Sequence, residues 1–195
     1  MTLEQIKEKL SKYTVGIAGA GGLGSNCAAS LVRAGIVRMF IADFDVVSES
    51  NLNRQFYFAD QLGCKKVDAL AENLHRINPL LELTILDKKL EAPTIVTLFT
   101  TCDVIVEAFD DKLQKQLLIE TILEHFPTKP IVIGSGMAGW GSNNLLKTEV
   151  LDNMYICGDQ ATEISPDCPP IGPRVGIVAN MQANQVLELL LGKMK

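Results

Sequence analysis

Short apolar runs of strand length alternate along this chain with longer stretches in which apolar residues recur at helical spacing. Residues 15–18, 37–42, 83–86, 104–107 and 131–133 read as strands, and 24–34, 64–77, 91–99, 112–125 and 174–191 as helices. A charged amino-terminal helix over 3–12, with Leu3, Ile6 and Leu10 on one stripe, precedes them. Buried strands joined by helical crossovers predict an α/β fold: a Rossmann-like, mostly parallel sheet with helices on both faces. In such a sheet, ligands bind outside the carboxyl ends of the strands. Asn78-Pro79 stops one helix and Gly192 suits the end of the last. The segment 158–174, dense in Pro, Asp and Gly, reads as a long crossover loop. No internal repeat or low-complexity tract interrupts the pattern, and a single domain is expected over 1–195.

Composition narrows the class. A chain of 195 residues with 47% hydrophobic content builds one sizeable core, without room for the second catalytic domain of many dehydrogenases. A net charge of −5 with dispersed Lys and Arg supplies no basic stripe, so no nucleic-acid partner is expected. No apolar run approaches the ~18 residues of a membrane span, and the first residues lack a secretory apolar region, so a cytoplasmic protein without membrane contact is expected. Five cysteines form no regular framework. Cys27, on the first helix of the alternating pattern, and Cys102, beside a strand, read as small core residues.

The chemistry begins at Gly19-Ala-Gly-Gly-Leu-Gly24, between an apolar run and a helix. Glycines permit a tight turn and close approach to an anion, and the helix start offers free N–H groups and a favourable dipole. Gly19, Gly21 and Gly24 satisfy G-x-G-x-x-G, with Gly22 adding another bare backbone position. Asp43 follows at the end of the next strand, as a ribose acceptor requires. Alone this fits NAD; the alternative for Asp43 is a solvated strand end.

The following residues pull the reading towards a nucleoside triphosphate. Asn51 and Gln55 can orient a nucleotide, and Arg54 offers a planar fork for phosphate oxygens. A polar surface loop is the alternative. Two lysines at the start of the next helix oppose its dipole unless an anion lies nearby. Lys66 is chosen over Lys65, with two surface lysines as the bland alternative. Asp110, at the carboxyl end of a strand, is placed to hold Mg²⁺ together with phosphate oxygens, and Asp111 to cap the next helix.

These motifs together resemble the ThiF/MoeB/HesA family of the ubiquitin-activating-enzyme superfamily, and within it the short ThiF-like adenylyltransferases of the sulfur carrier protein ThiS. The resemblance runs nearly end to end and rests on Gly19 to Gly24, Asp43-Phe-Asp45, Asn51-Leu-Asn-Arg-Gln55, Lys65-Lys66-Val67, Arg76-Ile-Asn-Pro79, Glu107-Ala-Phe-Asp-Asp111, Gly134-Ser-Gly-Met-Ala138 and Pro173-Arg-Val175. It implies that a ubiquitin-like carrier's terminal Gly-Gly carboxylate attacks the α-phosphate of MgATP, giving a carboxyl adenylate and pyrophosphate. Arg54, Lys66 and Asp110 would be catalytic, Asp110 as the Mg²⁺ ligand. Gly19, Gly21, Gly22, Gly24, Asp43, Asn51 and Gln55 would bind nucleotide with Arg54 and Lys66. A homodimer is also implied.

Two departures qualify the match. Larger relatives carry two Cys-x-x-Cys pairs for zinc, whereas Cys157 is followed by Gly-Asp-Gln, so zinc is not expected. Relatives also present an amino-terminal arginine to the partner subunit's ATP; here no arginine precedes Arg33, so either Lys7, Lys9 or Lys12 substitutes or that contact is absent. Cys168, among Asp159, Glu163 and Asp167, reads as a noncatalytic loop cysteine. Arg174 either meets the carrier's carboxylate or braces the last helix. Three other functions stay open: activation of a different carboxylate, a small NAD-binding oxidoreductase, and a noncatalytic module that holds a ubiquitin-like partner.

Overall fold

The computed structural model describes residues 1–192; residues 193–195, the end of the domain expected over 1–195, lie outside the described residues. Helix α1 (Leu3–Leu10) leads into β1 (Thr14–Ala18), α2 (Gly22–Ala34), β2 (Arg38–Ala42), α3 (Lys66–Ile77), β3 (Glu82–Leu86), α4 (Ala92–Phe99), β4 (Val104–Glu107), α5 (Lys112–His125) and β5 (Ile131–Gly134). A hairpin, β6 (Lys147–Leu151) and β7 (Met154–Gly158), then precedes the long α6 (Gly172–Leu191). The single sheet has the order β3-β2-β1-β4-β5-β7-β6.

Every pairing is parallel except β6 with β7. The chain winds outwards from β1 to β3, then returns to β4 on the other side. That reversal opens a crevice between the carboxyl ends of β1 and β4. One hydrophobic core joins β-strand residues such as Val15 and Ile17 to α2, α3 and α6, and a second joins Ile105 and Ile133 to α4 and α5. Strands covered on both faces are nearly continuous apolar runs; β4 and β5 are buried at every position, with Glu107 at the end of β4 the charged exception.

The hairpin departs from the sequence reading, which ends the sheet at the fifth strand. Leu151 pairs with Met154 across the two-residue turn Asp152-Asn153, where Asp152 takes a positive φ of 52°. Aspartate tolerates that conformation better than most side chains. β6 is exposed at all five positions, so it carries no burial pattern to read. The expected loop over 158–174 begins at the end of β7 and gives way to α6 at Gly172.

Candidate functional site

A cavity of about 620 Å³ opens at the carboxyl edge of the sheet, within the usual range of small-molecule sites. Its floor is the glycine turn. Gly19 has a φ of 101°, and an added Cβ would sit 2.7 Å from the Ala108 carbonyl oxygen. A Cβ on Gly24 would overlap the Gly19 carbonyl itself, so this glycine closes the turn from behind instead of lining the cavity. Gly21 caps α2 without a side-chain hydrogen bond, which leaves first-turn N–H groups open to an anion beside Gly19, Gly21 and Gly22.

Asp43 is anchored from two sides. One carboxylate oxygen accepts from Ala20 N–H at 2.6 Å and the other from Asp45 N–H at 2.8 Å. Each oxygen has a second lone pair for a ligand hydroxyl. Burial pushes the Asp43 carboxyl above its ordinary pKa, with these two N–H groups and Lys66 pulling against it. Tyr57, which the sequence reading passed over, locks the same corner: its hydroxyl lies 2.7 Å from the Ala20 carbonyl and 3.3 Å from that of Lys66. Burial, with Asp43 and Asp45 nearby, keeps that phenol protonated.

The two lysines of the α3 start part company. Lys65 is exposed and pairs with Asp87 at 2.5 Å, whereas the Lys66 side chain is 7% exposed, faces the cavity and pairs with Asp45 at 2.6 Å. Arg54 is fixed by bonds from Nη1 to the Ser50 carbonyl at 2.7 Å and to Asn53 Oδ1 at 2.8 Å. Arg54 also lines the cavity. Gln55 lines it too, 9% exposed, with Oε1 buried and unpartnered among the described residues. Asn51 does not line the cavity; its Oδ1 accepts from Ser48 N–H at 3.1 Å and caps the short turn that carries Arg54.

The opposite wall starts from β4. Asp110 is exposed and lines the cavity, while Asp111 caps α5 by accepting from Gln114 N–H at 2.8 Å. Among the described residues no group of three or more His, Cys, Asp or Glu side chains could hold a metal ion. Asp110 offers a single cavity-lining carboxylate, a donor of the kind Mg²⁺ takes one or two of when phosphates and water fill its other positions. Behind it, Glu107 is fully buried and pairs with Lys115, which lines the cavity. Burial raises the Glu107 carboxyl's pKa, and Lys115 opposes the shift.

Thr162, Glu163 and Ile164 of the crossover loop form the outer wall. That loop is pinned by Asp159 and Arg174, a 2.6 Å ion pair with side chains 2% and 3% exposed; Arg174 also bonds the Gly141 carbonyl. Arg174 thus braces the loop against α6 and does not line the cavity. Cys157 is buried on β7, 3.6 Å from Thr148 Oγ1, and Cys168 is half-buried in the loop. Of the candidate amino-terminal lysines, Lys9 bonds the Leu191 carbonyl at 2.9 Å and Lys12 pairs with Glu8 at 3.7 Å.

Asp45, Tyr57, Glu107 and Lys115 are the residues to which sequence reasoning gave no role. For Lys115 a signal existed: like Lys66 it stands near the start of a helix, against the dipole.

A doubly wound sheet with a glycine turn, a ribose-type carboxylate and converging Arg and Lys side chains defines a nucleotide-binding protein. Residues 2–195 match the ThiF family, and the chain belongs to that family. It is 31% identical over 185 residues to the adenylyltransferase and sulfurtransferase UBA4 of Eremothecium gossypii, covering 94% of this chain and 39% of that protein. The chain thus spans less than half of that relative's length. Its fold matches the E. coli tRNA N6-threonylcarbamoyladenosine dehydratase TcdA in complex with AMP, with a TM-score of 0.86, 17% identity, and coverage of 96% and 89% of the two chains. It also matches E. coli MccB with AMPCPP and MccA, with a TM-score of 0.72, 18% identity, and coverage of 95% and 57%. No helix among the described residues is long and apolar enough to cross a membrane.

Proposed function

We propose that this chain is an adenylyltransferase that activates the terminal Gly-Gly carboxylate of a ubiquitin-like, ThiS-like sulfur carrier in thiamine thiazole biosynthesis. The observation that carries the reading is the convergence of Asp43, Arg54, Lys66 and Asp110 on one cavity over an uncapped helix start. Membership of the ThiF family and similarity to UBA4 support it. The partner set is that carrier and a second copy of the chain, in the cytoplasm.

In the reaction, a carboxylate oxygen forms a bond to the α-phosphorus of ATP. The bond from that phosphorus to the bridging oxygen breaks, and pyrophosphate leaves with the electron pair. The enzyme needs no covalent nucleophile, so its contribution is positioning and charge stabilisation. Asp43 accepts from the ribose hydroxyls, the α2 start donates backbone N–H groups to phosphate, and Arg54 and Lys66 offset charge that builds on the leaving group. Asp110 would hold Mg²⁺, which when bound neutralises phosphate charge.

Pyrophosphate exchange into ATP tests this reading, using a ThiS-like carrier with an intact Gly-Gly tail and the same carrier with its tail removed. Exchange only with the intact tail supports it. Absence of exchange with both carriers, while ATP or NAD still binds, overturns it in favour of another acceptor, an oxidoreductase or a noncatalytic module. The match to nearly the whole length of TcdA makes a carboxylate on tRNA-borne threonylcarbamoyladenosine the second acceptor to test. Exchange stimulated by that tRNA alone would select it.

A further inference from the structure

Lys115 has three N–H donors on its ammonium and uses two of them within the chain. One goes to Glu107 Oε2 and one to the Gly134 carbonyl, the latter at 2.8 Å. Glu107 is 0% exposed, whereas the Lys115 side chain is 26% exposed and lines the cavity. The ammonium is thus fixed by two partners behind it, with one donor left for the cavity. A plain structural ion pair has no need to face a ligand site.

Its position separates it from the nucleotide cations. Arg54 and Lys66 reach the cavity from the segment after β2, with Asp43, whereas Lys115 reaches it from α5, on the Gly134 carbonyl; of the other cations that line it, Lys112 is taken by Glu163 of the crossover loop. Gly134 and Gly136 line that wall beside Lys115, each a glycine because a Cβ would meet Leu23 or Asp159. On the adenylyltransferase reading the phosphates fall to Arg54, Lys66 and the α2 start, which leaves the acceptor's carboxylate as the anion for Lys115.

We propose that Lys115 is a binding residue for the carboxylate being activated: its third N–H takes one carboxylate oxygen and leaves the other to approach the α-phosphorus. The ligand class is a peptide-type terminal carboxylate. Glu107 and Gly134 are positioning groups that fix the ammonium. This inference rests on the adenylyltransferase reading above.

The test measures binding, in the presence of a nonhydrolysable ATP analogue, of a ThiS-like carrier with a free Gly-Gly carboxylate and of the same carrier ending in an amide. Lys115→Met alone would strand the buried Glu107 charge, so the primary variant is Glu107→Gln with Lys115→Met; Lys115→Arg, which keeps a donor, is the rescue. We expect wild type to prefer the carboxylate by about tenfold, the size of one charge-assisted hydrogen bond, and the double variant to lose most of that preference. Binding of the ATP analogue should stay within about twofold, and Lys115→Arg should restore part of the preference. A double variant that keeps the carboxylate preference, or a wild type without one, overturns the inference while leaving adenylylation standing. A wild type that binds neither carrier overturns the choice of carrier and this inference together.

Discussion

Lys66 and Asp45 form a 2.6 Å ion pair in which the lysine side chain is 7% exposed and the aspartate side chain 50% exposed. The backbone repeats the link, because Lys66 N–H donates to the Asp45 carbonyl at 2.9 Å. On the adenylyltransferase reading, Asp45 and an incoming phosphate would compete for the same ammonium. Asp45→Asn should therefore tighten ATP binding by about threefold, since it removes a competing carboxylate from the pocket. Calorimetric titration checks this; weaker binding would mean that Asp45 serves mainly to aim Lys66. Lys66→Met should retain the fold, because Asp45 keeps its solvent, and slow adenylylation by about a hundredfold or more.

Arg54→Ala should lose roughly 2–4 kcal/mol of transition-state stabilisation, the scale of one well-placed electrostatic donor. Its anchors are the Ser50 carbonyl and Asn53 Oδ1, so the loop itself should survive. Steady-state kinetics should show the loss mainly in kcat/KM for ATP. A wild-type rate would remove Arg54 from the site.

Asp110 is exposed and takes no part in capping α5, a duty that falls to Asp111. Asp110→Ala should abolish adenylylation without lowering the melting temperature. Full activity in this variant would end the assignment of Asp110 to Mg²⁺.

The buried pair of Asp159 and Arg174 should govern stability and not the chemical step. Arg174→Met leaves a carboxylate buried without its cation, at a cost of about 3–5 kcal/mol. Burial alone would raise the Asp159 pKa, but hydrogen bonds from Thr162, Ala161 and Arg174 outweigh it and hold the carboxyl below its ordinary value. A depressed acid stabilises the fold fully above its unfolded pKa of about 3.9, and that contribution is lost as pH falls through the folded value. Asp159→Asn should therefore flatten the acid limb of a plot of melting temperature against pH. An unchanged limb would contradict the linkage.

How far the sequence reaches can be judged from individual residues. Parallel strands buried on both faces leave continuous apolar runs, and those runs announced β1, β2, β4 and β5; the half-covered edge strand β3 still kept Leu83, Ile85 and Leu86, whereas the fully exposed β6 leaves no burial pattern. The sequence order of Asp43, Arg54, Lys66 and Asp110 matched a family pattern, and all four line one cavity. Asn51 belongs to the same run of motif residues, yet its amide oxygen accepts from Ser48 N–H, a local bond that type and spacing do not distinguish from a ligand contact, and the residue does not line the cavity. Lys115 escaped notice because its partner, Glu107, lies eight residues away on another element, and only the turn into α5 brings the two together.

The floor of the cavity has little room for variation. A Cβ at Gly19 would meet the Ala108 carbonyl, one at Gly22 would lie 2.8 Å from Val175, and one at Gly134 would overlap Leu23. Glu163 and Ile164, by contrast, stand largely in solvent on the outer wall. Changes of acceptor are therefore cheapest in the roof, where side chains can be exchanged without disturbing the backbone beneath the nucleotide. A selection for new carboxylate partners that randomises 163 and 164 would explore specificity while the bonds that hold Asp159 and the floor below are left in place.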